Sequence, residues 1–180
     1  YAKDGKTVDK LELKNEAEAN TVVSALKEAR WIVAAVERKE QKKYPTPPFT
    51  TSTLQQAANR RLGYSAKQTM AVAQQLYEQG FITYMRTDSV FMADKFLTEA
   101  KEYLQASLGE RYALSVPRRF KTKSKGAQEA HEAIRPTEAA RQPETLAATL
   151  EPRQLKLYTL IWQRALASQM PEALLDATVI

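Results

Sequence analysis

The stretch FITYMRTDS, residues 81–89, sets a tyrosine, an arginine, an aspartate and several hydroxyl side chains within a few positions of one another. Such a set can attack a phosphodiester: Tyr84 as nucleophile, Arg86 as the cation at the phosphate, and Asp88 or Ser89 as the N-cap of a following helix. In extended chain the side chains of residues i and i+2 share a face, so Tyr84 and Arg86 would point toward one site. The same letters also suit a short buried strand and an ordinary capped helix. The rest of the chain has to decide between these readings.

The elements that must position this stretch are legible from caps and periodicity. Asn15 caps a helix over 16–29, with Ala19, Val22, Val23, Leu26 and Ala29 at helical spacing. Strands are predicted on either side, over 7–13 and 31–36, and a further strand over 174–180 to pair with this β-α-β piece. Pro45, Pro47 and Pro48 mark a border, since proline removes backbone donors and biases its predecessor toward extended chain. Beyond it, Thr50, Thr51 and Ser52 offer caps for a helix over 53–61 that Gly63 ends. Ser65 caps a second helix reaching Gln79, with Met70, Ala73, Leu76 and Tyr77 on its apolar face. The pair has helix-turn-helix proportions, with Lys67 and Gln68 where a recognition helix would meet DNA. A strand over 81–84 precedes a helix over 93–108 that buries Phe96, Leu97, Ala100 and Leu104. A polar basic loop over 111–126 carries Arg118, Arg119, Lys121, Lys123 and Lys125. A last helix spans 151–169, with Leu155, Tyr158, Leu160, Ile161, Trp162, Leu166 and Ala167 mostly inward. The fold class is mainly α with β additions (α+β). Its divisions are residues 1–43, a helical tyrosine-bearing domain over 44–170, and a return strand over 171–180.

Composition excludes several function classes. The 180 residues suffice for a core, and with no cysteine there is no disulfide framework, thiolate zinc site or cysteine nucleophile. No apolar run reaches the roughly 18 residues of a membrane span. A net charge of +6 and a pI near 9.4 favour a polyanionic partner. Tyr1 at the start and the apolar residues 177–180 at the end read as the cut ends of an internal fragment.

His131, the one histidine, sits in AQEAHEAIRPT. Arg135 stands where an HExxH zinc site needs its second histidine, so that signature fails. His131 is then either a phosphate donor near Arg135 or a hydrogen-bonded structural histidine. There is neither a D-x-D pair for magnesium nor a glycine-rich phosphate loop.

Four strings in order, PPFTTSTLQQAANRRLGYSAKQTMAVAQQLYEQG, FITYMRTDS, AQEAHEAIRPT and LYTLIWQRALASQM, resemble the bacterial type IA DNA topoisomerase I family over roughly residues 31–170. Met85 is closer to the topoisomerase I branch than to the topoisomerase III branch, which usually has proline there. The resemblance implies that Tyr84 attacks single-stranded DNA, forming a 5′-phosphotyrosyl bond and releasing a 3′-hydroxyl, with no nucleotide cofactor. A phenol is a weak acid, about one in a thousand ionised at neutral pH, so a nearby cation is needed.

By the same resemblance Arg86 contacts the scissile phosphate and His131 lies by the DNA backbone. Asp88 orients or caps, and Arg135, Thr83 and Lys67 are further DNA-contact candidates. The family fold is a toroid whose β-rich arch carries the helical tyrosine domain. Residues 1–43 and 171–180 would belong to the arch, and opening between these regions would let a strand pass the break. The partners implied are single-stranded and negatively supercoiled DNA, with no membrane, in the cytoplasm at the nucleoid. The acidic Mg²⁺-binding domain of the family lies outside this sequence, as does any zinc-ribbon tail, so the fragment alone is predicted inactive. Two other readings compete. A non-enzymatic helix-turn-helix module leaves FITYMRTDS and AQEAHEAIRPT without a reason. A tyrosine recombinase or type IB enzyme needs its histidine upstream of the tyrosine, whereas His131 follows Tyr84.

Overall fold

The computed structural model describes residues 2–3, 6–7, 13, 15–120 and 131–180. The chain divides into two compact units, Tyr1–Glu40 with Asp176–Ile180, and Gln41–Leu175. In the first unit, strands β1 (Ala2–Lys3) and β2 (Lys6–Thr7) pair antiparallel, Ala2 opposite Thr7. Of the strand predicted over 7–13, Thr7 lies in β2, and residues 8–12 fall outside the described ones. Helix α1 (Glu16–Glu28) starts where Asn15 predicts, the Asn15 carboxamide oxygen accepting the Glu18 amide at 2.9 Å. Its apolar positions are not buried, so the periodicity marks a helix without marking a core.

The strand predicted over 31–36 does not form. Strand β3 (Glu37–Lys43) takes the charged ERKEQKK instead, paired with β4 (Ala173–Val179), while Trp31, Ile32, Val33 and Val36 stay exposed outside any regular element. Apolar β-branched residues favour strands because they pack on a half-buried pleated face. A ribbon exposed along almost its whole length offers no such face, so backbone partners alone choose the paired residues.

Among the described residues, the second unit is built on four α-helices. Helix α2 (Thr51–Leu62) has a reciprocal cap: the Thr50 amide donates to the Thr53 hydroxyl at 2.9 Å, and the Thr53 amide returns the bond. Gly63 ends it in the left-handed region, φ 69°, where a side chain would be strained. Ser65 and Gln68 cap helix α3 (Ala66–Glu78) in the same reciprocal way, each box stabilising by about 1 kcal/mol. Helix α4 (Asp94–Leu108) buries Phe96, Leu97, Ala100 and Leu104 as predicted, and α5 (Pro152–Ser168) closes the unit. Along α5 the burial includes Leu157 and Ala165, whereas Ala167 faces outward. On α3, Thr69, Ala73 and Leu76 are buried, while Tyr77 is exposed.

Two apolar clusters make the core. One joins Phe49, Leu54, Ala73, Leu76, Ile82, Met85 and Ile134 to Leu157, Tyr158 and Ile161; the other joins Met92, the α4 face, Ala133 and Ala139 to Ala165 and Leu166. Helix α5 contributes to both. So do the stretch leading from Ile82 to Met92 and the stretch from Ala133 to Ala139, which are thereby pinned at both ends although neither is regular structure.

Candidate active site

The strand predicted over 81–84 shrinks to a single antiparallel bridge, Ile82 opposite Pro136. Its two hydrogen bonds run from the Thr83 amide to the Arg135 carbonyl, 2.9 Å, and from the Thr137 amide to the Phe81 carbonyl, 3.0 Å. The ladder stops at Thr83 for a local reason. The Arg135 amide, which would meet the Thr83 carbonyl in a continuing ladder, is taken by the Thr83 hydroxyl at 3.0 Å. That hydroxyl in turn donates to the Ala133 carbonyl at 2.6 Å. The next potential partner, Ile134, pairs with Phe49 instead. Tyr84 is thus released from the sheet register into solvent.

Beyond Tyr84 the chain keeps an extended alternation without a partner strand. Tyr84, Arg86 and Asp88 are exposed while Met85, Thr87 and Ser89 are buried. The Thr51 amide donates to the Thr87 carbonyl at 2.9 Å, and the Thr87 amide donates to the Thr51 hydroxyl, also at 2.9 Å. This fixes the segment to the start of α2. Neither Asp88 nor Ser89 caps a helix, contrary to the sequence expectation. The Ser89 hydroxyl accepts the Phe91 amide at 3.1 Å in a local turn, and α4 begins five residues later behind Ala93 with no side-chain cap.

An open cavity of about 470 Å³ is lined by Arg86, Thr87, Asp88, His131 and the hydroxyl run Thr50, Thr51, Ser52. Arg86 and His131, widely separated in sequence, therefore meet at one site, at the N-terminal end of α2, where the helix dipole also favours negative charge. Among the described residues, neither Arg86 nor His131 has a hydrogen-bonded or ion-pair partner. Tyr84 does not line this cavity. Its ring, 47% exposed, meets the Tyr77 ring edge-on at 5.2 Å between centroids, and its hydroxyl has no hydrogen-bond partner among the described residues. Tyr158 is the opposite case. Its hydroxyl donates to the Arg141 carbonyl at 2.6 Å, and burial raises its phenol above the usual tyrosine range, the Arg141 charge opposing in part.

The other sequence candidates are placed differently. Arg135 does not line the cavity: its side chain is only 12% exposed, its Nε donates to Glu132 at 2.5 Å, its Nη1 to the Pro136 carbonyl at 2.9 Å, and the guanidinium lies over the Phe96 ring at 4.6 Å. The Thr83 hydroxyl is occupied by the backbone bonds described above. Lys67 is exposed in the first turn of α3 and does not line the cavity. In the basic loop, Arg118 donates to the carbonyls of Ser168, 3.1 Å, and Met170, 2.7 Å, closing the C-terminal end of α5. Arg119 pairs with Asp94 at 2.6 Å, while Lys121, Lys123 and Lys125 lie outside the described residues. No three His, Asp or Glu among the described residues come together as a metal site. No described helix is long and apolar enough to cross a membrane.

Sequence reasoning reads Thr50, Thr51 and Ser52 only as alternative caps and puts Tyr77 on a buried face. The signal it passes over is redundancy: the cap box of α2 uses Thr50 and Thr53, and the sequence supplies four hydroxyl residues in a row after PPF.

The chain matches the model of a family described as DNA topoisomerase over residues 2–180. It is 51% identical over 161 residues to DNA topoisomerase 1 of Synechocystis sp., covering 88% of this chain and 18% of that protein. It is 45% identical over 179 residues to DNA topoisomerase 1 of Campylobacter jejuni, covering 95% and 26%. The structure of full-length topoisomerase I from Thermotoga maritima matches with a TM-score of 0.74 at 38% identity, covering 88% of this chain and 26% of that one. The chain thus spans only 18% to 26% of the length of these relatives.

Proposed function

We propose that in this chain, which belongs to the DNA topoisomerase family, Tyr84 is the nucleophile toward a phosphodiester of single-stranded DNA. The bond from the Tyr84 oxygen to phosphorus forms as the bond from phosphorus to the 3′ oxygen breaks. The phenol's proton is balanced by the one carried away on the 3′-hydroxyl. One ester replaces another, so the reverse reaction reseals the strand without ATP. Arg86 stabilises the charge that develops on the phosphate, and His131 donates to the backbone in the same cavity. Asp88, which lines the same cavity, has an orienting role rather than one in proton transfer. The carrying observation is the alternation that turns Tyr84, Arg86 and Asp88 outward from a segment anchored through the buried Met85, Thr87 and Ser89.

In this reading residues 44–170 are the tyrosine-bearing domain, and residues 1–43 and 171–180 belong to a β-rich arch. Relative motion of these regions lets a strand pass the break and relaxes negative supercoils, in the cytoplasm at the nucleoid. Mg²⁺ would be held by an acidic domain outside this sequence, which spans only 18% to 26% of the length of the relatives it matches.

The test is relaxation of negatively supercoiled plasmid in the presence of Mg²⁺ by the full-length protein, with and without Tyr84→Phe. The variant is expected to lose relaxation to background while still binding single-stranded DNA. Relaxation by Tyr84→Phe at the normal rate rejects the assignment. The 180-residue chain by itself is expected to show no turnover in the same assay.

A further inference from the structure

Arg86 lies between two peptide groups that are both tied to one hydroxyl. The Thr51 Oγ1 donates to the Met85 carbonyl at 2.7 Å, which belongs to the peptide entering Arg86. The same oxygen accepts the Thr87 amide at 2.9 Å, which belongs to the peptide leaving Arg86. The orientations of these two peptides define φ and ψ of Arg86, and therefore the direction in which its side chain departs. A second backbone bond, from the Thr51 amide to the Thr87 carbonyl at 2.9 Å, holds the clamp against the first turn of α2. Thr50 and Thr53 already cap that helix, so the Thr51 hydroxyl is not needed as its cap.

We infer that Thr51 is a positioning residue for Arg86, aiming the guanidinium into the cavity without itself touching the reacting atoms. This rests on the reading of Arg86 as the phosphate-stabilising cation. The physical case is that Arg86 has no partner of its own among the described residues. A long, unpaired side chain on an irregular segment samples many directions, and ordering it costs entropy unless its base is fixed. The hydroxyl fixes the base. A displacement of the order of an ångström at a transition-state contact reduces rate far more than it reduces ground-state binding.

The experiment is a double-mutant cycle in the full-length protein, read as the rate of cleavage of a single-stranded oligonucleotide at saturation and as the concentration for half-saturation. Thr51→Val keeps the shape and removes the hydroxyl. It is expected to lower the rate about tenfold or more and to change half-saturation by less than about threefold. Thr51→Ser, which restores the hydroxyl, should recover at least about half of the rate. In an Arg86→Ala background, adding Thr51→Val should change the rate by less than about twofold, because the group it aims is gone.

Losses that multiply in the double variant, or a Thr51→Val rate equal to wild type, overturn the inference while leaving the Arg86 role intact. An Arg86→Ala variant that cleaves normally overturns the Arg86 reading itself, so the two failures are distinguishable. If Thr51→Val does not fold, judged by its thermal midpoint, Thr51→Cys enters the same cycle and must show a rate loss that vanishes with Arg86→Ala.

Discussion

The segments around Arg86 and Arg135 carry an arginine each, yet they use it in opposite ways. Arg86 sits on an extended run with no partner strand, exposed at a cavity and unpaired among the described residues. Arg135 sits on the run that bridges to Ile82 and Phe49, its guanidinium held by Glu132, by the Pro136 carbonyl and by the Phe96 ring. A cation that has to meet a substrate phosphate must be left unsatisfied by the protein. A cation that fixes a loop must be satisfied by it. By that criterion Arg86 suits the chemistry, and Arg135 suits holding the bridge from which Tyr84 departs.

Substitution of each arginine tests the contrast. Arg86→Ala should reduce cleavage by the full-length protein by about 10²- to 10³-fold, on the scale of losing one preorganised donor to a developing oxyanion, while the thermal midpoint stays nearly unchanged. Arg135→Ala should instead destabilise the fold by about 2–3 kcal/mol, since it strands Glu132 and uncovers Phe96. Denaturant unfolding reads that loss, and cleavage per folded molecule should stay within about threefold. The contrast breaks if Arg135→Ala cuts cleavage as deeply as Arg86→Ala with no loss of stability. Lys67→Ala gives the smallest effect: a stability change below about 0.5 kcal/mol, with at most a uniform weakening of DNA binding and a salt slope reduced by about one. Sequence-selective loss at Lys67 would show that α3 reads bases.

The helices were legible because their punctuation is local. Asn15, Thr50 and Ser65 cap through their side chains where they stand, Gly63 ends α2 because it lacks one, and the α4 face of Phe96, Leu97, Ala100 and Leu104 is buried as its spacing requires. The candidate residues Tyr84, Arg86 and Asp88 were legible as letters, and their outward alternation is what extended chain gives. What the sequence could not carry was competition between distant partners. Ile134 pairs with Phe49, and the Thr83 hydroxyl takes the amide of Arg135, so the predicted strand ends one residue before Tyr84. Likewise Thr51, a cap candidate by type, is claimed by residues 85 and 87 from far along the chain. In the exposed ribbon the apolar 31–36 lost to ERKEQKK because no face was available to reward burial.

The most direct test of the central claim is to trap the covalent intermediate. The full-length protein would be incubated with a single-stranded oligonucleotide labelled on the 3′ side of its cleavage site and denatured rapidly, and the labelled peptide identified by mass spectrometry after proteolysis. The account predicts a 5′-phosphate ester on the peptide containing Tyr84, absent from Tyr84→Phe. Attachment at another residue, or an adduct that persists in Tyr84→Phe, would contradict it.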